Sequence, residues 1–314
     1  MGAPWVGRFA PTSEIQLTNH SGRVGAVDAL NWVTKVASAV KADVPYQVWS
    51  YSDGGSIAHV IGTLRGVRKY IRADIPLIFV FDGEFSSSVR QMTDPERSTE
   101  DTPYPQNEFF RESMAKTLDA LDIPFVKEYP FDGEAGAAML NREGYADFVL
   151  SDDWDALLYG AEIQIRGFTG QGPEELINRR ALEAETEFSR RDLIDIAILV
   201  GTDYNDGLQN VSAESAMDAL EMYGSLEAVY DRVNDRMPEI IYDLRDLYLD
   251  PPSFDGANLP ILTDPPTPTP KLDTIESLLT EYEVPPQLIE QELSHLERAL
   301  AHSKSNKTCR RGDK

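Results

Sequence analysis

Six acidic residues stand where an apolar run stops or a helix begins. Asp82 directly follows Leu77-Ile78-Phe79-Val80-Phe81, and Asp153 and Asp155 follow Phe148-Val149-Leu150-Ser151. Asp28 closes the short run Gly25-Ala26-Val27, and Asp203 follows an apolar segment ending Leu199-Val200-Gly201. Glu134 opens the Ala-rich segment Gly133–Glu143, at the positive end of a helix dipole. Carboxylates brought into one crevice repel each other, and a divalent cation removes that cost. Hard oxygen donors suit Mg²⁺ or Mn²⁺. Two such ions about 3.5–4 Å apart can activate a water and stabilise the leaving oxygen of a phosphodiester. Any single Asp in so acidic a chain serves equally well as a helix cap or turn residue. The shared position at element ends is what singles these six out. The histidines His20, His59, His295 and His302 are scattered, and Cys309 is the sole cysteine. A His-built or multi-cysteine zinc centre and an intrachain disulfide are therefore not expected, in keeping with a reducing cytoplasm.

The elements that must position these carboxylates alternate. Gly25–Val40 reads as an apolar entry to Asp28 and then a helix through Leu30, Val33, Val36 and Val40. Gly54–Arg72 reads as a helix, and the continuous apolar run from Pro76 to Phe81 suits a strand buried on both faces of a parallel sheet. A polar loop is expected over Ser86–Gln106, a helix over Asn107–Leu121, a strand from Pro124, a helix over Gly133–Glu143 and a strand over Asp147–Ser151. This alternation predicts an α/β domain with a mainly parallel sheet, whose ligand crevice lies beyond the carboxyl ends of its strands. Arg191–Gly201, Ala213–Tyr223, Leu226–Arg232, Leu272–Tyr282 and Pro286–Ala301 read as further helices. Pro251–Pro270 holds seven of the 20 prolines and reads as a loop. His302–Lys314 is polar and basic and is expected to fray.

The chain has 314 residues, of which 41% are hydrophobic, enough for a sizeable core. No apolar run is long enough for a transmembrane helix, and the N-terminus lacks a signal-peptide pattern, so a cytoplasmic protein with no membrane partner is expected. Against 53 acidic residues stand 29 basic ones, 20 Arg and 9 Lys, for a net charge of −24. That balance argues against a polyanionic partner. It equally suits a surface adapted to molar salt, where about 1 M salt shortens the Debye length to about 3 Å.

In order along the chain, Ala26-Val27-Asp28-Ala29, Val80-Phe81-Asp82-Gly83, Asp132-Gly133-Glu134-Ala135-Gly136-Ala137, Ser151-Asp152-Asp153-Trp154-Asp155-Ala156-Leu157 and Leu199-Val200-Gly201-Thr202-Asp203-Tyr204 resemble the motifs of the flap endonuclease/XPG family of structure-specific 5′ nucleases. The resemblance runs from about Gly22 to about Ala301. It implies a PIN-like 5′-nuclease fold, with an α/β nuclease domain over 1–205, a short gateway insertion at about 84–118, a helix–hairpin–helix-like helical region over 206–301, and a basic disordered tail over 302–314. It further implies hydrolysis of phosphodiesters in branched or 5′-flap DNA, possible use of RNA, and two Mg²⁺ or Mn²⁺ ions held by Asp28, Asp82, Glu134, Asp153, Asp155 and Asp203. A monomer acting in DNA repair or replication is expected.

The sequence departs from the family pattern in several places. Gly136 replaces the second Glu of the Glu-Ala-Glu motif. Asp132 lies two residues before Glu134, but it precedes the helix and is expected to point elsewhere. In the gateway, Val89 stands near the family's first Lys, and Asp94, Glu96, Glu100 and Asp101 make the segment acidic. Arg90 is favoured as the contact to the scissile phosphate, with Arg97 as a further nucleic-acid contact. In the hairpin, Asn210 and Ser212 replace glycines and Glu214 replaces a basic residue, which should weaken the grip on duplex. The C-terminus lacks the clamp-binding Gln-x-x-Leu-x-x-Phe-Phe pattern.

Arg65, Arg68, Lys69 and Arg72 fall on one face of a helix, as either a phosphate-facing surface or a solvated face. Tyr204 either packs beside the substrate or belongs to the core. Three functions are thus in view: a metal-dependent 5′ nuclease, a non-catalytic paralogue that binds nucleic acid or protein, and a small-molecule phosphatase. The last ranks lowest, because Asp28-Ala29-Leu30 offers no Asp-x-Asp nucleophile. Assigning six carboxylates to a metal centre and the remaining excess to a halophilic surface, as in salt-loving archaea, removes the objection from net charge.

Overall fold

The computed structural model describes residues 3–43, 56–83, 108–168, 173–233, 237–254 and 268–312, the side chains of 108 and 304–312 excepted. Seven strands form one sheet in the order β1-β7-β6-β5-β2-β3-β4. They are β1 (Thr12–Ile15), β2 (Gly25–Asp28), β3 (Leu77–Asp82), β4 (Phe125–Tyr129), β5 (Phe148–Leu150), β6 (Ile163–Arg166) and β7 (Glu174–Asn178). The β2–β3, β2–β5, β3–β4 and β5–β6 pairs are parallel, while β6–β7 and β1–β7 are antiparallel. The sheet is thus mainly parallel with an antiparallel edge. Every residue of β2, β3 and β5 is buried, because helices cover both faces of these central strands.

Strand alternation sorts the apolar residues into two cores. Ala26, Ile78, Val80 and Val149 face one layer; Val27, Leu77, Phe79, Phe81, Phe148 and Leu150 face the other. The second layer holds α1 (Ala29–Asp43), α2 (Ala58–Ala73) and α3 (Glu108–Leu121). Trp32, Val33, Val36, Ala37 and Val40 recur at helical spacing, and α1 lies directly on α2. Gly62 permits that approach, since a Cβ there would sit 2.7 Å from the Val36 carbonyl oxygen.

The first layer holds α4 (Gly133–Arg142), α5 (Asp155–Leu158), α6 (Arg179–Thr186) and α7 (Arg190–Val200). The helices beyond residue 205 join these same cores. Those numbered α8 (Ala213–Tyr223), α9 (Leu226–Arg232) and α10 (Glu239–Leu249) pack into the first layer. The last two, α11 (Leu272–Glu281) and α12 (Pro286–Gly312), pack into the second.

The expected elements recur with shifted ends: the helix expected from Gly54 begins at Ala58, and the strand from Pro124 spans Phe125–Tyr129. The tail expected to fray after Ala301 instead continues α12 as helix through Gly312. The strands β1, β6 and β7 and the helices α6 and α10 had no counterpart in the sequence expectations. Arg90, Arg97 and the acidic gateway residues Asp94, Glu96, Glu100 and Asp101 lie outside the described residues. Among the described residues no helix is long and apolar enough to cross a membrane.

Candidate metal centre

The adjacent central strands β5, β2 and β3 end side by side, and their carboxyl ends carry the expected acids. Asp28 is the last residue of β2; its Oδ1 accepts the Leu30 and Asn31 amides at 3.0 and 3.2 Å. Asp82 is the last residue of β3, and its Oδ1 accepts the Gly133 amide at 2.9 Å. That bond ties the start of α4 to the strand end. Glu134 follows in the first turn of α4, buried, where its Oε1 accepts the Ser151 hydroxyl at 3.0 Å and the Ala156 amide at 3.1 Å.

The loop after β5 is held from three sides. Asn31 Oδ1 accepts the Asp152 amide at 3.1 Å, Gln164 Nε2 donates to the Ser151 carbonyl at 2.8 Å, and the Arg166 guanidinium lies 3.9 Å from the centre of the Trp154 ring. Asp152 accepts the Gly167 amide at 2.8 Å and pairs with Lys35 at 3.2 Å, away from the cluster's chemistry. Asp153 Oδ1 accepts the Trp154 amide at 2.9 Å. Asp155 opens α5; its Oδ2 accepts the Tyr248 hydroxyl at 3.3 Å, the Ala3 backbone also bears on the carboxylate, and its Oδ1 is buried without a geometric hydrogen-bond partner among the described residues.

One electrostatic field joins these groups. Burial pushes the carboxyls of Asp28, Glu134 and Asp155 well above the usual range. Neighbouring charges raise them further: Asp82, Asp132 and Asp153 at Asp28; Asp153, Asp155, Asp28 and Asp132 at Glu134; Asp153, Asp203 and Asp132 at Asp155. Burial also raises Asp153, where the Asp203 and Asp132 charges add to it. The six expected acids therefore act on one another. Among the described residues, however, no three His, Cys, Asp or Glu side chains form a ready-made ligand set. The donor chemistry nevertheless fits a hard cation, because buried, mutually repelling oxygens are what a divalent ion satisfies.

Asp132 falls differently from expectation, Tyr204 takes the core position of its two alternatives, and Tyr248 was not singled out by the sequence. Asp132 does not point elsewhere: its charge bears on four of the cluster carboxyls, and its Oδ2 accepts the Tyr204 hydroxyl. Tyr204 is a core residue, 1% exposed, so its ring is closed to nucleic acid. Tyr248, which reaches Asp155 from α10, gave no sequence signal, since a tyrosine in a helix ordinarily reads as packing. Asp132 was visible only as an acid beside the motif, and its direction depended on the turn before α4.

The basic stripe on α2 is largely engaged within the fold. Arg65 Nη2 and Arg68 Nη1 lie 2.7 and 3.1 Å from the buried Glu292 of α12, and Lys69 Nζ lies 2.5 Å from Glu174 of β7. Arg72 is exposed, and with the other three and His295 it lines an open cleft of about 440 Å³. In the hairpin, Asn210 takes a left-handed φ of 60°, which Asn tolerates better than most residues, and Ser212 caps α8 through a reciprocal bond with Ser215. Glu214 pairs with Arg8.

Residues 122–203 match the XPG I-region family model. The chain is 28% identical to flap endonuclease 1 of Haloquadratum walsbyi over 96% of its own length and 98% of that protein's. In fold it is similar to the flap endonuclease-1 of Methanococcus jannaschii, with a TM-score of 0.70 at 24% identity over 94% of this chain and 98% of that one. It is likewise similar to the catalytic core of Rad2 in complex with DNA substrate, with a TM-score of 0.71 at 21% identity over 92% and 96% of the two chains. The ordered acidic motifs, their convergence at the central strand ends and these matches across nearly the whole length point one way: the chain carries an XPG I-region and is similar throughout to the flap endonuclease/XPG/Rad2 family of structure-specific nucleases.

Proposed function

We propose that this protein is a divalent-cation-dependent nuclease that hydrolyses phosphodiesters in branched or 5′-flap DNA, with Mg²⁺ or Mn²⁺ as its cofactor and two ions at the site. The observation that carries this reading is the convergence of buried, mutually repelling carboxylates at the ends of three adjacent strands. Asp28, Asp82, Glu134, Asp153, Asp155 and Asp203 would hold the ions. A bound cation supplies Lewis acidity, offsetting the carboxylate repulsion and drawing charge from the phosphodiester. The protein's own part is to fix the donors: the Ser151 hydroxyl and Ala156 amide orient Glu134, and the Tyr248 hydroxyl orients Asp155. The similar catalytic core of Rad2 is found in complex with DNA substrate, which supports DNA as the ligand class. Arg90 and Arg97 are proposed phosphate contacts on sequence grounds alone. Arg65, Arg68, Lys69 and Arg72 are proposed to face the phosphate backbone, which requires sharing them with Glu292 and Glu174. The helical region 206–301 is proposed to contact duplex.

The test is cleavage of a labelled 5′-flap duplex in Mg²⁺ at 0.1 M and at molar KCl. Cleavage by the wild type and its loss in Asp155→Asn is the expected result. No cleavage by folded protein in either salt would overturn the reading. A second reading, a non-catalytic binding module, is favoured by one observation: the space a side chain would need at Gly136 is filled by Val80 and Tyr129. Flap binding by the wild type without cleavage, unchanged in Asp155→Asn, would select it.

A further inference from the structure

Among the described residues the large apolar side chains left exposed are not scattered. Met222, Tyr223, Val233 and Tyr242 all lie between the end of α8 and the first turn of α10. Met222 is 72% exposed and Val233 52%. Single exposed apolar residues need no explanation, but a group of them beside a groove marks an interaction site. Such a groove, of about 310 Å³, lies between α8 and α9. Val211, Ser215, Ala219 and Tyr223 line it at every fourth position, one face of a helix, and Val229 and Val233 line it from α9. The two helices are fixed to each other. The Gly224 amide ends α8 by donating to the Leu220 carbonyl at 2.7 Å, and Ser225 Oγ starts α9 by accepting the Ala228 amide at 3.2 Å.

Charge decides what fits there. Between Ala213 and Val233 the acids Glu214, Asp218, Glu221, Glu227 and Asp231 stand against one base, Arg232. Glu214 and Glu227 are engaged by Arg8 and Arg245, while Asp218, Glu221 and Asp231 are exposed. Nucleic acid is repelled by such a rim, and so is a second copy of a chain whose net charge is −24. The chain's own basic C-terminus is carried by α12, which packs into the second core layer, whereas α8 and α9 pack into the first. We propose that the groove between α8 and α9 is a docking site for an amphipathic, basic helical segment of another protein. Its apolar side chains would enter beside Tyr223 and Val233, and its Lys or Arg residues would face Asp218, Glu221 and Asp231. The inference does not depend on the metal-centre reading.

The probe is a labelled amphipathic Leu/Lys peptide helix, followed by fluorescence anisotropy with the full-length chain in about 1 M KCl, where attraction between exposed charges reaches only about 3 Å. Diffuse adhesion to an acidic surface is thereby suppressed. The wild type should bind this peptide, and should bind a Leu/Glu peptide of the same pattern at least about tenfold more weakly. Tyr223→Ser combined with Val233→Ser should weaken Leu/Lys binding by about tenfold or more, the loss expected when anchors of an interface are truncated. Asp218→Lys combined with Glu221→Lys, two changes on the exposed rim, should reverse the preference between the peptides. A photoreactive group on the peptide should crosslink within α8 and α9. No Leu/Lys binding by the folded wild type overturns the inference, as does equal binding by the wild type and the Tyr223→Ser, Val233→Ser variant. Displacement of the peptide by a 5′-flap duplex, with a matching loss of flap affinity in that variant, makes the face a duplex contact and also overturns it. So does sedimentation in which the wild type is a dimer and that variant a monomer.

Discussion

Gly136 shows how one residue limits what this site can be. A Cβ there meets Val80 and Tyr129 inside 3 Å, and neither can retreat, because Val80 is in the central strand β3 and Tyr129 is fully buried. Gly136→Ala is expected to cost about 1–3 kcal/mol in urea unfolding, the usual penalty for overpacking. Gly136→Glu should cost more and should not strengthen Mg²⁺-dependent cleavage, because the packing leaves its carboxylate no room beside the cluster. A gain of cleavage in that variant would show that the site opens more readily than the packing implies. His59 is a second residue with a definite signature. Its Nε2 lies 2.7 Å from Ser113 Oγ, and burial holds its pKa down at about 3, with Lys41 adding to the effect and a bond with the Ser56 backbone opposing it. The unfolded chain therefore binds the proton first as pH falls. The stability from neutral His59 is fully present above about pH 6.5 and is lost progressively down to about pH 3. Between pH 7 and pH 5 the wild type should lose about 2 kcal/mol more stability than His59→Gln. Equal losses in the two proteins would contradict this assignment.

At the scale of elements, ion pairs join segments distant in sequence. Arg245 of α10 lies 2.7 Å from Asp195 of α7 and 2.7 Å from Glu227 of α9. Asp195 and Arg245 are both buried, and burial raises the Asp195 carboxyl to about 6 despite the opposing pull of Arg245. Arg245→Met strands that carboxylate and is expected to cost about 3–5 kcal/mol at neutral pH. Arg245→Met combined with Asp195→Leu should recover most of the loss, since no buried charge remains. Chemical denaturation of the two variants measures the difference, and equal destabilisation would argue against an electrostatic origin. The same logic clamps α12 to α2 through Arg65, Arg68 and Glu292. Two of the cations that line the open cleft on α2 therefore also hold the last helix in place.

At the scale of the whole molecule, the net charge of −24 acts over the surface and the central carboxylates act in the interior. Salt discriminates between them. Mobile ions at about 1 M confine surface repulsion to about 3 Å but screen buried groups much less. The melting temperature should rise by several degrees between 0.1 and 2 M KCl. The divalent-cation dependence proposed for cleavage should persist in both, because monovalent K⁺ carries too little charge to offset the repulsion of the clustered carboxylates. A melting temperature that is flat or falling with KCl would remove the halophilic explanation of the charge.

Much of this molecule was legible along the chain. The run from Leu77 to Phe81 suited a strand buried on both faces, and the acids at Asp28, Asp82, Glu134, Asp153, Asp155 and Asp203 stood at element ends in family order, because apolar runs and motif order are local properties. Strands β6 and β7 were not legible, since Ile163–Arg166 and Glu174–Asn178 mix polar and apolar residues at a sheet edge whose partners are far apart in sequence. The direction of Asp132, the burial of Tyr204, the reach of Tyr248 and the pairing of Arg65 and Arg68 with Glu292 are likewise contacts between segments 72 to 227 residues apart. The sequence by itself determined which groups carry charge and which strands are buried. Only the tertiary structure decided which charges repel across a shared crevice and which are already neutralised by a partner, because electrostatic energy depends on distance and burial.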